Sequence, residues 1–380
     1  MRKRTLSLLL ATALSISLLA GCGSSGSSEG SAASDTAEEA EETSEENTES
    51  AENAESAEPV TLRTLAWNSM VGHLDSALAY AAGYYEDEGL NIEMTYNNSN
   101  PENIQALLED KADLVSAGAT AVLNYIDEGS DIVIIGCQMS QGASLYSLPE
   151  RADEFTELSE ETLAGKKIGV TLLNTGDIAL RKILIDRGVD LSLIEFVELD
   201  SQATVVEAVL KGEVDLGIAF LTYRQSAELQ GLVPVSYLDG EDEWPGYICC
   251  RIFTTREKLE ANRDAYVSAM KANIRAYALI QQDEEATVEY ALNELEIDED
   301  TLRSQVYEYG HLGLNPNPDI KNTSEFFQAM VDIGYSEGNV DITDYIDASV
   351  YEDALNELLE EEPDNEIYLE LLADDEATNH

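Results

Sequence analysis

The stretch 163–220 limits what this chain can fold into more than any other part of it. An apolar run, Lys167-Ile168-Gly169-Val170-Thr171, reads as a buried strand, and the polar turn Asn174-Thr175-Gly176-Asp177 leads from it into an amphipathic helix ending at Arg187-Gly188. A strand over 194–199, a helix over 201–211 and a strand over 214–220 follow. Strands alternating with helices across short turns build a parallel sheet, because parallel neighbours need a crossover helix. The same plan occurs earlier, with a helix over 74–85 closing at Glu88-Gly89-Leu90, a strand over 91–96, a helix over 101–110 and the run Lys111-Ala112-Asp113-Leu114-Val115-Ser116-Ala117. The expected fold class is α/β, with two lobes, each a mixed, mainly parallel sheet flanked by helices, and a cleft between them. One larger doubly wound sheet is the alternative.

The chain begins with the basic residues Arg2, Lys3 and Arg4, then an apolar segment over 6–19 that is too short to span a bilayer. This is an export signal. Residues 23–58 carry twelve acidic side chains and no basic one. Such a segment buries too little surface to offset its chain entropy, and an extended acidic tether is expected. Residues 351–380 add twelve more acids with no Lys or Arg. The formal charge of −55 makes nucleic acid a poor partner, because phosphate contacts need Lys and Arg.

Between the tether and the end lie about 320 residues, room for two lobes. The expected division is 1–22 signal, 23–58 tether, 59–146 with 248–348 as the first lobe, 147–247 as the second, and 349–380 as an acidic C-terminal helix and tail. A run of helices over 262–282, 284–295, 298–309 and 323–333 would pack on the lobes.

Ligands in open α/β sheets sit beyond the carboxyl ends of the strands, which makes the turns there candidate walls. After the first strand come Trp67, Asn68 and His73; Trp67 offers a stacking face or ordinary core packing. Gly118 and Thr120 follow the third strand, and Asn174 and Thr175 stand at the matching turn of the second lobe, where small residues let a ligand approach the first N–H groups of a helix. Asp177 in that turn would weaken attraction for an anion. Gln138 follows a buried strand over 131–136. Tyr223 and Arg224 follow Phe220, and Trp244 and Tyr247 flank a loop before the strand 247–253. Cys249 and Cys250, adjacent in that strand, should point to opposite faces and make poor joint metal ligands. With three histidines in the chain (His73, His311 and His380) and no His/Cys cluster, no metal is expected. Neither a disulfide framework nor a nucleophile elbow is present.

Several segments together resemble a known family. Leu19-Ala20-Gly21-Cys22 resembles the bacterial lipoprotein box, which implies diacylation of Cys22 and a membrane lipid anchor. Gly83-Tyr84-Tyr85-Glu86-Asp87-Glu88-Gly89-Leu90-Asn91-Ile92-Glu93, Leu163-Ala164-Gly165-Lys166-Lys167-Ile168-Gly169-Val170 and Lys211-Gly212-Glu213-Val214-Asp215 resemble, in order and spacing, segments of type II periplasmic binding proteins. The group includes the alkanesulfonate, nitrate, taurine and thiamine-pyrimidine-precursor binding proteins. That resemblance implies a monomeric solute-binding component of an ABC importer, without cofactor or catalysis, which presents a small molecule to the permease outside the cytoplasm. Aromatics with amides and carboxylates suit a thiamine-pyrimidine-like or other nitrogen-containing aromatic ligand. Arg224 and Arg251 keep an aliphatic sulfonate, taurine or nitrate as the alternative. Two further alternatives are a surface lipoprotein that binds a partner and a pyrimidine-synthase-like enzyme. The enzyme would need His73 and a Schiff-base lysine, of which Lys166 is the one near a strand end.

Overall fold

A computed structural model describes residues 59–171 and 174–380. The export signal, Cys22 and the tether lie outside the described residues.

Among the described residues eleven strands form two sheets. β1 (Val60–Ala66), β2 (Leu90–Tyr96), β3 (Leu114–Gly118), β4 (Ile132–Gln141), β10 (Ile248–Thr255) and β11 (Leu312–Gly313) make the first, in the order β11-β4-β10-β3-β1-β2. β5 (Ala143–Ser147), β6 (Lys167–Val170), β7 (Glu195–Glu198), β8 (Leu216–Phe220) and β9 (Val233–Tyr237) make the second, in the order β7-β6-β8-β5-β9. The sheets share one plan. In the first, β1 pairs in parallel with β2 and β3, and β10 runs antiparallel between β3 and β4. In the second, β6 pairs in parallel with β7 and β8, and β5 runs antiparallel between β8 and β9. Two similar α/β lobes, rather than one doubly wound sheet, is therefore the architecture.

Burial follows the alternation of apolar residues. All five residues of β8 and all five of β5 are buried, as a central strand covered on both faces requires. β9 was not anticipated from the sequence. It carries Pro234, which lacks the N–H that a central strand would use, and it lies at the sheet edge where that loss is tolerated.

The chain passes from the first sheet to the second at Gly142 and returns at Tyr247. Residues 143–146, expected in the first lobe, instead pair with β8 and β9. Gln141 and Gly142 both have positive φ (64° and 95°), which turns β4 sharply into β5. The Tyr247 hydroxyl accepts a hydrogen bond from Ala143 N at 2.8 Å, and Gln141 N donates to Tyr247 O at 3.0 Å, so the outgoing and returning segments brace each other.

Two helical readings need correction. The helix expected over 298–309 is α-helical over Glu299–Arg303 and widens into a π-turn over Ser304–Glu308. The acidic tail contains a second helix, Glu366–Thr378, after Ser349–Glu361. Its Tyr368 and Leu371 are buried, and Asp374 accepts hydrogen bonds from Asn315 and Asn317, both at 2.8 Å.

Candidate functional site

A cavity of about 470 Å³ opens between the sheets at the carboxyl ends of the parallel strands. The first lobe contributes Trp67 after β1, Asn98 after β2 and Gly118 at the end of β3. The second contributes Thr171 after β6, Asp200 after β7 and Phe220 at the end of β8. The cavity therefore occupies the place where an open α/β sheet receives ligands, and its size suits a small molecule.

Helices begin on its rim. Ala119–Asp127 starts at Gly118, which supplies no side-chain cap, and Gly118 and Thr120 of this turn line the cavity. Thr175–Asp186 and Gln202–Leu210 are capped instead, by Asn174 accepting from Gly176 N at 3.0 Å and by Ser201 accepting from Thr204 N at 3.2 Å.

Four buried polar atoms on residues lining the cavity have no hydrogen-bond partner: Trp67 Nε1, His73 Nε2, Thr120 Oγ1 and Thr171 Oγ1. A buried donor or acceptor left unpaired costs about 1–3 kcal/mol, and these four lie just beneath the cavity surface, where a small shift of the wall would bring a polar ligand or water within reach. His73 is fully buried, its Nδ1 lies 2.8 Å from Ser116 Oγ, and its ring stacks on Trp67 with centroids 5.8 Å apart and planes 12° from parallel. Burial pushes its pKa down to about 3, so the imidazole is neutral at ordinary pH. Of the described lining residues, Asp200 alone carries a formal charge.

Trp67, His73, Gly118, Thr120, Asn174, Thr175 and Tyr223 meet at this cavity. Asn68, Gln138, Arg224, Trp244 and Tyr247, expected as ligand contacts, do not line it. Asn68 is one shell behind, accepting from Asn98 Nδ2 at 3.1 Å and thereby orienting Asn98, which does. Gln138 is fully buried and donates to Ser76 Oγ. Trp244 packs on Phe326 and Tyr247, with ring centroids 5.6 and 6.1 Å away, and Tyr247 is the brace between the crossing segments.

Neither arginine reaches the cavity. Arg224 is buried and donates to the carbonyls of Gly310 and His311, each at 3.4 Å. Arg251 donates to Thr323 Oγ1 at 3.2 Å and to Cys250 O at 3.1 Å. Asp177 is equally remote, fully buried between Arg181 and Tyr335. Lys166 pairs with Glu154 away from the cleft.

Cys249 and Cys250 contradict the opposite-face expectation, because both line the cavity and their Sγ atoms lie 3.5 Å apart. The pairing of β10 with β4 shifts register on both sides of Cys250, and a bulge of this kind breaks the alternation of side chains. Asn98, Asn100, Asp200, Ser201 and Gln202 were missed. The signal for them was position alone, since each lies just past the end of a parallel strand.

Behind His73, in the first turn of helix Leu74–Ala81, Asp75 is fully buried with no charged or side-chain partner, and burial raises its pKa well above the ordinary value against the pull of the nearby backbone N–H groups of Asp75 and Ser76. The folded protein thus holds this proton at pH values where the unfolded chain has released it, and stability falls as pH rises from the ordinary carboxylate value toward the raised one. Asp75→Asn removes that dependence. Relative to wild type the variant should gain up to about 1.4 kcal/mol per pH unit across that window, read by urea unfolding at pH 5 and pH 8. Parallel pH slopes in the two proteins would count against a neutral Asp75.

Comparison with known proteins agrees with this fold. A profile described as NMT1/THI5 like matches residues 71–287. The periplasmic aliphatic sulphonate binding protein SsuA of Escherichia coli is similar in fold: TM-score 0.64, 16% identity, covering 77% of this chain and 99% of that one. The periplasmic nitrate-binding protein NrtA of Synechocystis gives TM-score 0.65 at 13% identity over 79% and 89% of the two chains. A ligand binding component of an ABC-type import system from Staphylococcus aureus, with zinc bound, gives 0.62 at 14% identity over 78% and 99%. Among curated proteins no sequence matches. With the profile covering more than half of its length, the chain belongs to the NMT1/THI5-like family.

Proposed function

We propose that this protein is the solute-binding component of an ABC importer and holds a nitrogen-containing aromatic molecule of the thiamine-pyrimidine kind between its lobes. The observation that carries the reading is the cavity itself, where unpartnered neutral polar atoms surround an aromatic ledge and Asp200 is the one formal charge. A flat heterocycle with ring nitrogens and an amino group satisfies each part of it. Trp67 offers a face for stacking, hydroxyls and amides on the wall serve either sense, and Asp200 accepts from the amino group. Support for the transport role comes from the fold, shared with binding proteins for sulfonate and nitrate and with an ABC import component. Residues 1–22 would export the chain and Cys22 would carry the lipid that holds it outside the cytoplasm, beside its permease.

The sulfonate or nitrate alternative rests on those relatives. It has against it that Arg224 and Arg251 are committed elsewhere, and for it the uncapped helix start at Gly118. The enzyme alternative would require a lysine beside His73, and no lysine is among the described lining residues. Binding without catalysis is therefore our reading.

Thermal shift followed by calorimetry on the full chain separates these ligands. An aminopyrimidine should raise the melting temperature in proportion to ln(1 + [L]/Kd), while ethanesulfonate, taurine and nitrate should not. Trp67→Ala should weaken aminopyrimidine binding about tenfold, the loss of one ring–ring contact of about 1.4 kcal/mol. Stabilisation by the anions alone would transfer the assignment to the sulfonate class.

A further inference from the structure

We propose that Cys249 and Cys250 are a redox modification site on the cleft wall, which a hydroperoxide closes reversibly into a disulfide between adjacent residues. The proposal stands on the placement of the sulfurs and holds whatever solute the cleft takes. Both side chains line the cavity, their Sγ atoms are 3.5 Å apart, and the bulge at this point of β10 already turns them to one side. Rotation of the two side chains, with some strain in the backbone between them, separates that arrangement from a bond. The cavity, about 470 Å³, gives a small oxidant access to sulfurs that are otherwise buried.

The two thiols are not equivalent. A hydrogen bond from the Cys250 thiol holds the pKa of Cys249 below the ordinary thiol value, against burial and with Thr175 alongside. The same contact and burial push Cys250 well above it. Thiolate character decides which sulfur attacks, so Cys249 is the nucleophile and Cys250 the resolving thiol. The Cys249 thiolate attacks one oxygen of the hydroperoxide, and the O–O bond breaks to leave Cys249 sulfenic acid and hydroxide or alkoxide. The Cys250 sulfur then attacks the Cys249 sulfur. The S–O bond breaks, and the hydroxyl group leaves with the Cys250 proton as water. Two electrons have passed from the sulfur pair to the peroxide.

Adjacent Cα atoms are about 3.8 Å apart, less than the roughly 4.4–6.8 Å that disulfides usually span. The ring is consequently tight and the bond easily reduced, which suits a switch and not a structural staple. Its formation replaces two thiol donors on the cleft wall with an apolar pair next to Thr175. Cys137, the other cysteine among the described residues, is a built-in control. It is buried off the cavity, with its pKa pushed up to about 12 by burial.

The test exposes the native full chain to hydrogen peroxide at neutral pH, unfolds it, alkylates free thiols and weighs the peptide that contains both residues. The expected product is lighter by two hydrogens, takes no alkyl group and recovers two alkylatable thiols after dithiothreitol, while Cys137 is alkylated throughout. In Cys250→Ser, Cys249 has no resolving partner and should be trapped by dimedone as the sulfenic acid, and only the fraction that excess peroxide carries on to the sulfinic acid should keep its oxygen after dithiothreitol. Two alkylated thiols after peroxide, oxygen added to Cys249 in the wild type, or a bond from either residue to Cys137 or Cys22 would overturn the proposal. Because the decisive readout uses the wild-type protein, a folding defect in the variant does not obscure it.

Discussion

Gly142→Ala should be among the most destabilising single substitutions in this protein. Gly142 sits between β4 and β5 with φ of 95°, where a side chain is strained whatever the space around it. The space is also full: a Cβ there would lie 2.8 Å from Phe220 Cε1, 3.0 Å from Leu221 Cδ2 and 3.2 Å from Met139 Cε. The backbone strain costs about 1–3 kcal/mol. Forcing a methyl into a packed core costs about 1–3 kcal/mol more. The sum is a large share of the roughly 5–15 kcal/mol that stabilises a typical domain. Gly231→Ala separates the two contributions, because Gly231 has nearly the same φ, 96°, with nothing within 4 Å of the added carbon. Urea unfolding should place Gly142→Ala clearly below Gly231→Ala, the gap being the packing cost. Equal midpoints would mean that Phe220 and Leu221 move aside freely and that the crossing is looser than its contacts indicate.

The crossing also shows where sequence reasoning succeeds and where it stops. Strands such as β6 and β8 and the helices between them were legible because their apolar spacing is local and their turns carry Gly at the expected ends. The two-lobed plan followed from seeing that pattern twice. The fate of a side chain near a strand end was not legible, since it depends on residues far away in sequence. Trp244 beside Pro245-Gly246 looks like a pocket wall until Phe326 arrives from a later helix to cover it. Arg224 and Arg251 look like free cations until the carbonyls of Gly310, His311 and Cys250 accept their N–H hydrogen bonds.

Cys249 and Cys250 were put on opposite faces by a two-residue period that a bulge cancels, and that bulge is set by the register with β4. The acidic tail misled for another reason. Its charge count says solvated segment, but Tyr368 and Leu371, three residues apart, form the inner face of a helix whose acids lie mostly outward. Asp200, the one charge among the described residues of the cavity wall, follows β7, and a strand end in the sequence does not say which of the side chains after it turns inward.

Asp177→Ala should cost about 3–5 kcal/mol, the usual penalty for removing one partner of a buried ion pair. Asp177 is fully buried in the first turn of helix Thr175–Asp186, where its Oδ1 accepts from Arg181 Nε at 2.8 Å and its Oδ2 from the Tyr335 hydroxyl at 2.7 Å. Tyr335 lies just beyond helix Ile320–Asp332, whereas Asp177 and Arg181 belong to a helix packed against the second sheet, so the carboxylate ties segments more than 150 residues apart. Without it, Arg181 keeps its seat over the Phe196 ring, 3.7 Å from the centroid, but as a half-buried charge with no counter-ion, and the tyrosine hydroxyl loses its acceptor. Tyr335→Phe removes one of the two bonds and should cost about 0.5–1.5 kcal/mol, as one hydrogen bond would. In the double variant Asp177→Ala/Tyr335→Phe the two losses should fall short of additive by about 0.5–1.5 kcal/mol, because the hydroxyl is already without its acceptor. Urea midpoints of the four proteins decide this. Strict additivity would mean that the Asp177–Tyr335 bond contributes nothing in solution, leaving Arg181 as the sole reason a carboxylate is buried one helical turn behind the cleft.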